Sequence, residues 1–81
     1  MLQKTKTFLE VARLLSFTEA AYVLGVSQSA VSQTIAALER ELGVKLIERS
    51  RRKIALTAAG RRFADEASRL LTSFNELVEN I

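Results

Sequence analysis

Gln28, Ser29, Ser32 and Gln33 bring amides and hydroxyls together over one short stretch, and none of them carries a charge. On a helix, Ser29, Ser32, Gln33 and Ala36 share one side, small and polar. A solvated helix face ordinarily carries lysine and glutamate, which pair at four-residue spacing. This face suits contact instead. Glutamine can bond bidentately to adenine, serine can donate or accept, and apolar edges meet a thymine methyl. The alternative is that Gln28 and Gln33 simply face water.

Close by in sequence stands a run of cations, Arg51, Arg52 and Lys53. From Val44 to Arg62 seven basic residues meet the single acid Glu48, whereas the last stretch is acidic, with Asp65, Glu66, Glu76 and Glu79 against Arg69. Within a net charge of only +3, that concentration is the footprint of a surface for a polyanion. An ordinary solvated charge run is the alternative.

Other chemistries are excluded by composition. The 81 residues include no histidine and no cysteine, which removes thiolate and histidine metal sites, disulfides and histidine-based catalysis. The carboxylates scatter without a pocket-like grouping. No enzyme, cofactor or metal is expected. No signal peptide is legible, because Glu10 and Arg13 interrupt the apolar stretch after Lys4 and Lys6. With no run of membrane-spanning length, the expectation is a cytoplasmic protein without a membrane partner.

The elements that must position these groups follow from apolar spacing. A domain of this size buries only about 60% of the surface its unfolded chain exposes, so one core is the limit. Phe8, Val11, Ala12 and Leu15 predict a helix over about Gln3 to Leu14. Ser16 and Thr18 offer N-caps for a short second helix, about Glu19 to Leu24, which Gly25 ends. Ser27 caps a third helix running to Leu42 and stopping at Gly43, with Val31, Ile35, Leu38 and Leu42 as its inner stripe. Leu46 and Ile47, then Ile54 to Leu56, read as a hairpin around the basic stretch from Glu48 to Lys53. Its turn lacks glycine, so an irregular tip is expected.

Thr57 caps a last helix that runs to the end of the chain. Phe63, Ala67, Leu70, Phe74, Leu77 and Ile81 alternate four and three apart along it, a coiled-coil seam widened by Leu71 and Val78. The near end would pack on the core. The far end would outrun so small a core and seek a second copy.

A short helix, a glycine turn and a second helix make a helix-turn-helix, whose second helix enters the major groove amino end first. Small Ala20 and Ala21 would let the helices approach, and Val31 would lock their angle. The helix amides near Ser27 would favour a phosphate. Arg51, Arg52 and Lys53 would reach phosphates or the minor groove, with Lys4, Lys6 and Arg40 as further backbone contacts. A module that meets a protein instead is the competing reading.

Ser16 to Ala21 (SFTEAA), Leu24, Val26 to Gln28 (VSQ), Ala30 to Ser32 (AVS), Ile35, Leu38, Glu39, Leu42 to Val44 (LGV), Leu46 to Arg49 (LIER) and Leu56 to Gly60 (LTAAG) resemble the signature of LysR-type transcriptional regulators. The resemblance covers nearly the whole chain. It implies a mainly α fold: a winged helix-turn-helix of three helices with a small two-stranded hairpin wing, then a long linker helix that dimerises. It divides the chain into a reading head, residues 1–57, and a linker helix, residues 58–81. The recognition helix would be about 28–42 and the wing about 49–54.

By the family pattern Thr18, Gln28, Ser29 and Ser32 contact DNA from the motif and Arg52 from the wing, and two heads on one dimer imply a dyad-symmetric operator. Two positions depart. Gln33 stands where arginine is usual, which should shift preference from guanine toward adenine, and Ser29 stands where many members have proline. Family members continue into a ligand-binding domain. The expectation is therefore an excised DNA-binding domain, rather than a naturally truncated regulator, that takes no small-molecule effector.

Overall fold

Hydroxyl side chains set three of the helix starts in the computed structural model, which describes residues 1–50 and 53–81. Ser16 Oγ accepts from Glu19 N–H at 3.1 Å, Ser27 Oγ from Ala30 N–H at 3.0 Å, and Thr57 Oγ1 from Gly60 N–H at 2.9 Å. Each bond satisfies one of the amides that a helix leaves without an internal partner. The described helices are α1 (Leu2–Leu14), α2 (Phe17–Leu24), α3 (Gln28–Leu42) and α4 (Ala58–Glu79). Ser16 rather than Thr18 is the cap of α2, so that helix begins at Phe17 and not at the expected Glu19.

Gly25 and Gly43 end α2 and α3 in the left-handed conformation, with φ of 70° and 73°, as their positions predicted. The end of α1 departs from expectation. Leu15 falls on the apolar spacing of Phe8, Val11 and Ala12, but it is the left-handed C-cap, with φ 50°, and its side chain is half exposed. Its amide closes the helix on Val11 O at 2.6 Å. Turning the chain toward Ser16 takes Leu15 off the helical repeat.

The wing is an antiparallel pair of β1 (Ile47–Arg49) and β2 (Ile54–Leu56), in register Ile47 with Leu56, Glu48 with Ala55 and Arg49 with Ile54. The sequence reading started the basic loop at Glu48, yet the ladder continues through Arg49. Cross-strand pairing outweighs the low strand preference of a glutamate. Ser50 then bonds Lys53 O twice, through its amide at 3.1 Å and its hydroxyl at 2.7 Å. That closes the tip without glycine.

Phe8 and Val11 of α1, Ala20 and Ala21 of α2, Val31, Ile35 and Leu38 of α3, Leu46, Ile47 and Ala64 form one core. The ring of Phe63 on α4 meets that of Phe8, centroids 5.8 Å apart and tilted 49°, a geometry that brings ring edge toward ring face. Leu42, the last member of the predicted stripe, is half-buried. At the far end of α3, Lys4 of α1 pairs with Glu41 at 3.0 Å. That hydrogen bond, reinforced by charge, holds the Glu41 carboxyl below the usual carboxylate range. Lys4 is thus engaged in a part-exposed ion pair within the chain.

Between α3 and the wing lies a buried acid that the apolar pattern does not announce. Glu39 is 7% exposed. Its Oε2 accepts from Leu46 N–H at 2.8 Å and from Ile47 N–H at 3.2 Å, while its Oε1 lies 3.9 Å from the Lys45 ammonium. The same segment is gripped from its other side by the start of α4. Thr57 Oγ1 donates to Lys45 O at 2.7 Å, and Thr57 N–H to Leu46 O at 3.0 Å. Gly60 sits so close that a Cβ there would come within 2.0 Å of Leu46 O.

Gly60→Ala should therefore cost about 2–3 kcal/mol, as overpacking against backbone does. In thermal unfolding this should lower the midpoint by roughly 10 °C or more in a domain of this size. An unchanged midpoint would mean that α4 can step away from Leu46 freely. Glu39→Ala strands two buried amides, each worth about 1–3 kcal/mol, and should destabilise at least as much. Near-neutral behaviour in urea unfolding would show that water replaces the carboxylate there.

Candidate nucleic-acid interface

The turn between α2 and α3 is built from the backbone outward. Gly25 N–H bonds Tyr22 O at 3.2 Å, Val26 N–H bonds Ala21 O at 3.0 Å, and Ser27 starts the next helix. Ala20 and Ala21 are buried at the crossing, and Val31 is buried against them within the shared core. The angle between the two helices thus rests on side chains too small to hold them apart.

On the outside of α3, Gln28, Ser29 and Gln33 are exposed and Ser32 is half-buried. Gln33 Nε2 reaches back to Ser29 Oγ at 3.5 Å, a weak bond that leaves both groups available. The Ser27 hydroxyl is occupied by the cap, so what Ser27 can offer a ligand is chiefly the helix start it secures. The first-turn amides of α3 carry the positive end of the helix dipole.

An open cleft of about 580 Å³ runs between these helix starts and the wing, lined by Thr18, Gln28, Ser50, Lys53 and the turn from Leu15 to Phe17 among others. It brings together Thr18, Gln28 and Lys53, which the sequence marked from three separate segments. Lys53 is exposed there. Arg51 and Arg52 lie outside the described residues. Lys6 and Arg40 are exposed on other parts of the surface.

Arg49, which the sequence places in the wing without singling it out as a contact, meets both α2 and α3. Its guanidinium carbon lies 4.9 Å over the ring of Phe17, and its Nη1 donates to Ser32 Oγ at 3.4 Å. The available signal was strand alternation: Arg49 stands two residues after buried Ile47, on the face of the strand that turns toward the helices.

The seam on α4 divides in two. Phe63 is half-buried against Phe8 and Ala67 is buried, so both serve the chain's own core. Leu70, Phe74, Leu77 and Ile81 are 72%, 59%, 58% and 99% exposed, and Val78 joins them at 58%. Among the described residues no helix is long and apolar enough to cross a membrane, and no group of acids forms a metal-sized cluster.

Comparison with known proteins places this geometry. The sequence model described as "Bacterial regulatory helix-turn-helix protein, lysR family" matches residues 2–61. A probable hydrogen peroxide-inducible genes activator of Streptomyces viridosporus is 44% identical over 78 residues, 96% of this chain and 25% of that protein. The regulator ShiR of Corynebacterium glutamicum is 50% identical over 66 residues, 82% of this chain and 22% of its own length. The chain thus spans about a quarter of the length of the curated relatives it matches.

Among solved structures, the BenM_DBD/catB site 1 DNA complex superposes with a TM-score of 0.91 at 35% identity, covering 98% of this chain and 88% of that one. The CbnR_DBD–DNA complex gives 0.90 at 39% identity, covering 99% and 92%. Four helices and an antiparallel pair of strands, among the described residues, therefore form a winged helix-turn-helix.

Proposed function

The chain belongs to the lysR family of bacterial regulatory helix-turn-helix proteins, and we propose that it reads double-stranded DNA by sequence as part of a dimeric transcriptional regulator. One observation carries the reading: the exposed, uncharged amino end of α3 stands beside a cleft that Lys53 enters from the wing. Solved structures on which it superposes include complexes with DNA. In this reading α3 lies in the major groove, with Gln28, Ser29, Ser32 and Gln33 toward base edges. Thr18, the helix start at Ser27 and the wing cations Arg51, Arg52 and Lys53 hold phosphates or the minor groove.

Residues 1–57 act as the reading head and residues 58–81 as the linker helix, rooted in the head through Phe63 and Ala64. The bare apolar stripe from Leu70 to Ile81 is the dimer seam. A self-complementary helix pair is isologous, so two heads meet an operator with dyad symmetry. The protein works in the cytoplasm, catalyses nothing, holds no cofactor, and leaves any small-molecule effector to parts of the regulator beyond this chain.

The division of labour is tested by selecting sites from a random DNA pool, then titrating the enriched duplex and a scrambled one at several salt concentrations. Lys53→Ala should weaken both duplexes alike and reduce the slope of log K against log salt by about 0.9, the share of one phosphate. Gln28→Ala should mainly narrow the gap between the duplexes. Equal losses for both variants on both duplexes would refute the division, and no enrichment with no salt-dependent binding would favour a protein partner. For the seam, Leu70→Asp with Leu77→Asp should sediment as a monomer where the parent sediments as a dimer. An unchanged mass would dispose of the linker-helix dimer.

A further inference from the structure

Arg49 ties three elements together at the edge of the reading face. It ends β1 opposite Ile54, places its guanidinium carbon over the ring of Phe17 at the start of α2, and donates to the hydroxyl of Ser32 on α3. The charge and one N–H of the guanidinium are thus both in use, the first by the ring quadrupole and the second by the serine oxygen.

A serine hydroxyl has one proton to give and two lone pairs to receive with. Once it accepts from a permanent cation, one lone pair is filled and its own proton is turned away from the arginine. Ser32 then turns its proton toward the groove, with a single lone pair left to accept. Guanine N7 and O6, adenine N7 and thymine O4 are acceptors on the major-groove edge, whereas cytosine shows an amino donor.

We propose that Arg49 is a positioning residue that fixes Ser32 as a hydrogen-bond donor, so that the base facing Ser32 is chosen for an acceptor edge. This rests on the DNA-reading function above. It gives the wing strand a part in base choice that is separate from phosphate contact at the tip.

The test is a double-mutant cycle on the selected operator and its scramble, with Ser32→Ala, Arg49→Met and the pair. Methionine keeps an apolar contact on Phe17 while removing charge and donor, and a melting curve checks that each variant folds. Each single variant should lose about fivefold in the operator-to-scramble ratio, the worth of one neutral hydrogen bond. The pair should lose no more than the worse single variant, with the salt slope unchanged throughout. Arg49→Lys, which keeps a cationic donor but not the flat fork, should restore part of the ratio.

Additive losses would overturn the proposal. So would an Arg49→Met variant that weakens both duplexes equally and flattens the salt slope, since the arginine would then be a phosphate contact. Should Arg49→Met fail to fold, Arg49→Leu, which likewise removes the charge and the donor and keeps an apolar contact, takes its place in the cycle. A parent chain that binds neither duplex would remove the DNA reading and this role with it, whereas a binding parent with an additive cycle rejects the role of Arg49 alone.

Discussion

The segment Lys45 to Ile47 is held at both its donors and its acceptors, and the relation of the wing to the reading helix depends on it. From α3, one carboxylate oxygen of Glu39 accepts two successive amides. From α4, Thr57 fills the carbonyls of Lys45 and Leu46, with Gly60 pressed against the same peptide. Charge-assisted bonds to backbone amides are stronger than neutral ones, and here they bind the chain at the root of β1. Once that root is fixed, strand register carries Arg49 to its place beside α3.

A second economy lies in α3 itself. Val31, Ile35 and Leu38 fill the core, Glu39 anchors the wing, and Gln28, Ser29 and Gln33 are left outside. The residues proposed to choose bases therefore stand on a helix whose opposite side is buried in the core. Their backbone positions are set by burial on the opposite side, and ligand contact has little left to organise.

Much of this was legible in the sequence because the signals are local. Hydroxyls before helices and glycines after them placed the ends of α3 and the start of α4 at the correct residues, since a cap needs only its own neighbours. Apolar spacing found Phe8, Val11, Val31, Ile35 and Leu38. What was not legible has two sources. Leu15 leaves the core because of where the chain must next go, and Glu39 enters it because of amides that lie further along. Arg49 gains its meaning from Phe17 and Ser32, far off in sequence. The last two depend on tertiary neighbours that no window along the chain contains. The two-sided use of α4 was partly visible, since its apolar stripe is longer than a core this small can cover.

The continuity of α4 from Ala58 to Glu79 has a geometric result. Its first turns are locked into the core at Phe63 and Ala64, and its apolar stripe emerges further along the same unbroken rod. Each residue of a helix adds about 100° of rotation and 1.5 Å of rise. The bearing of the stripe, seen from the reading helix, is therefore encoded by residue count between Ala67 and Leu70. Lengthening that interval by one would swing the stripe about a quarter-turn while leaving every core contact in place. The rod acts as a protractor as well as a spacer: the angle at which two copies face each other is a matter of helical phase.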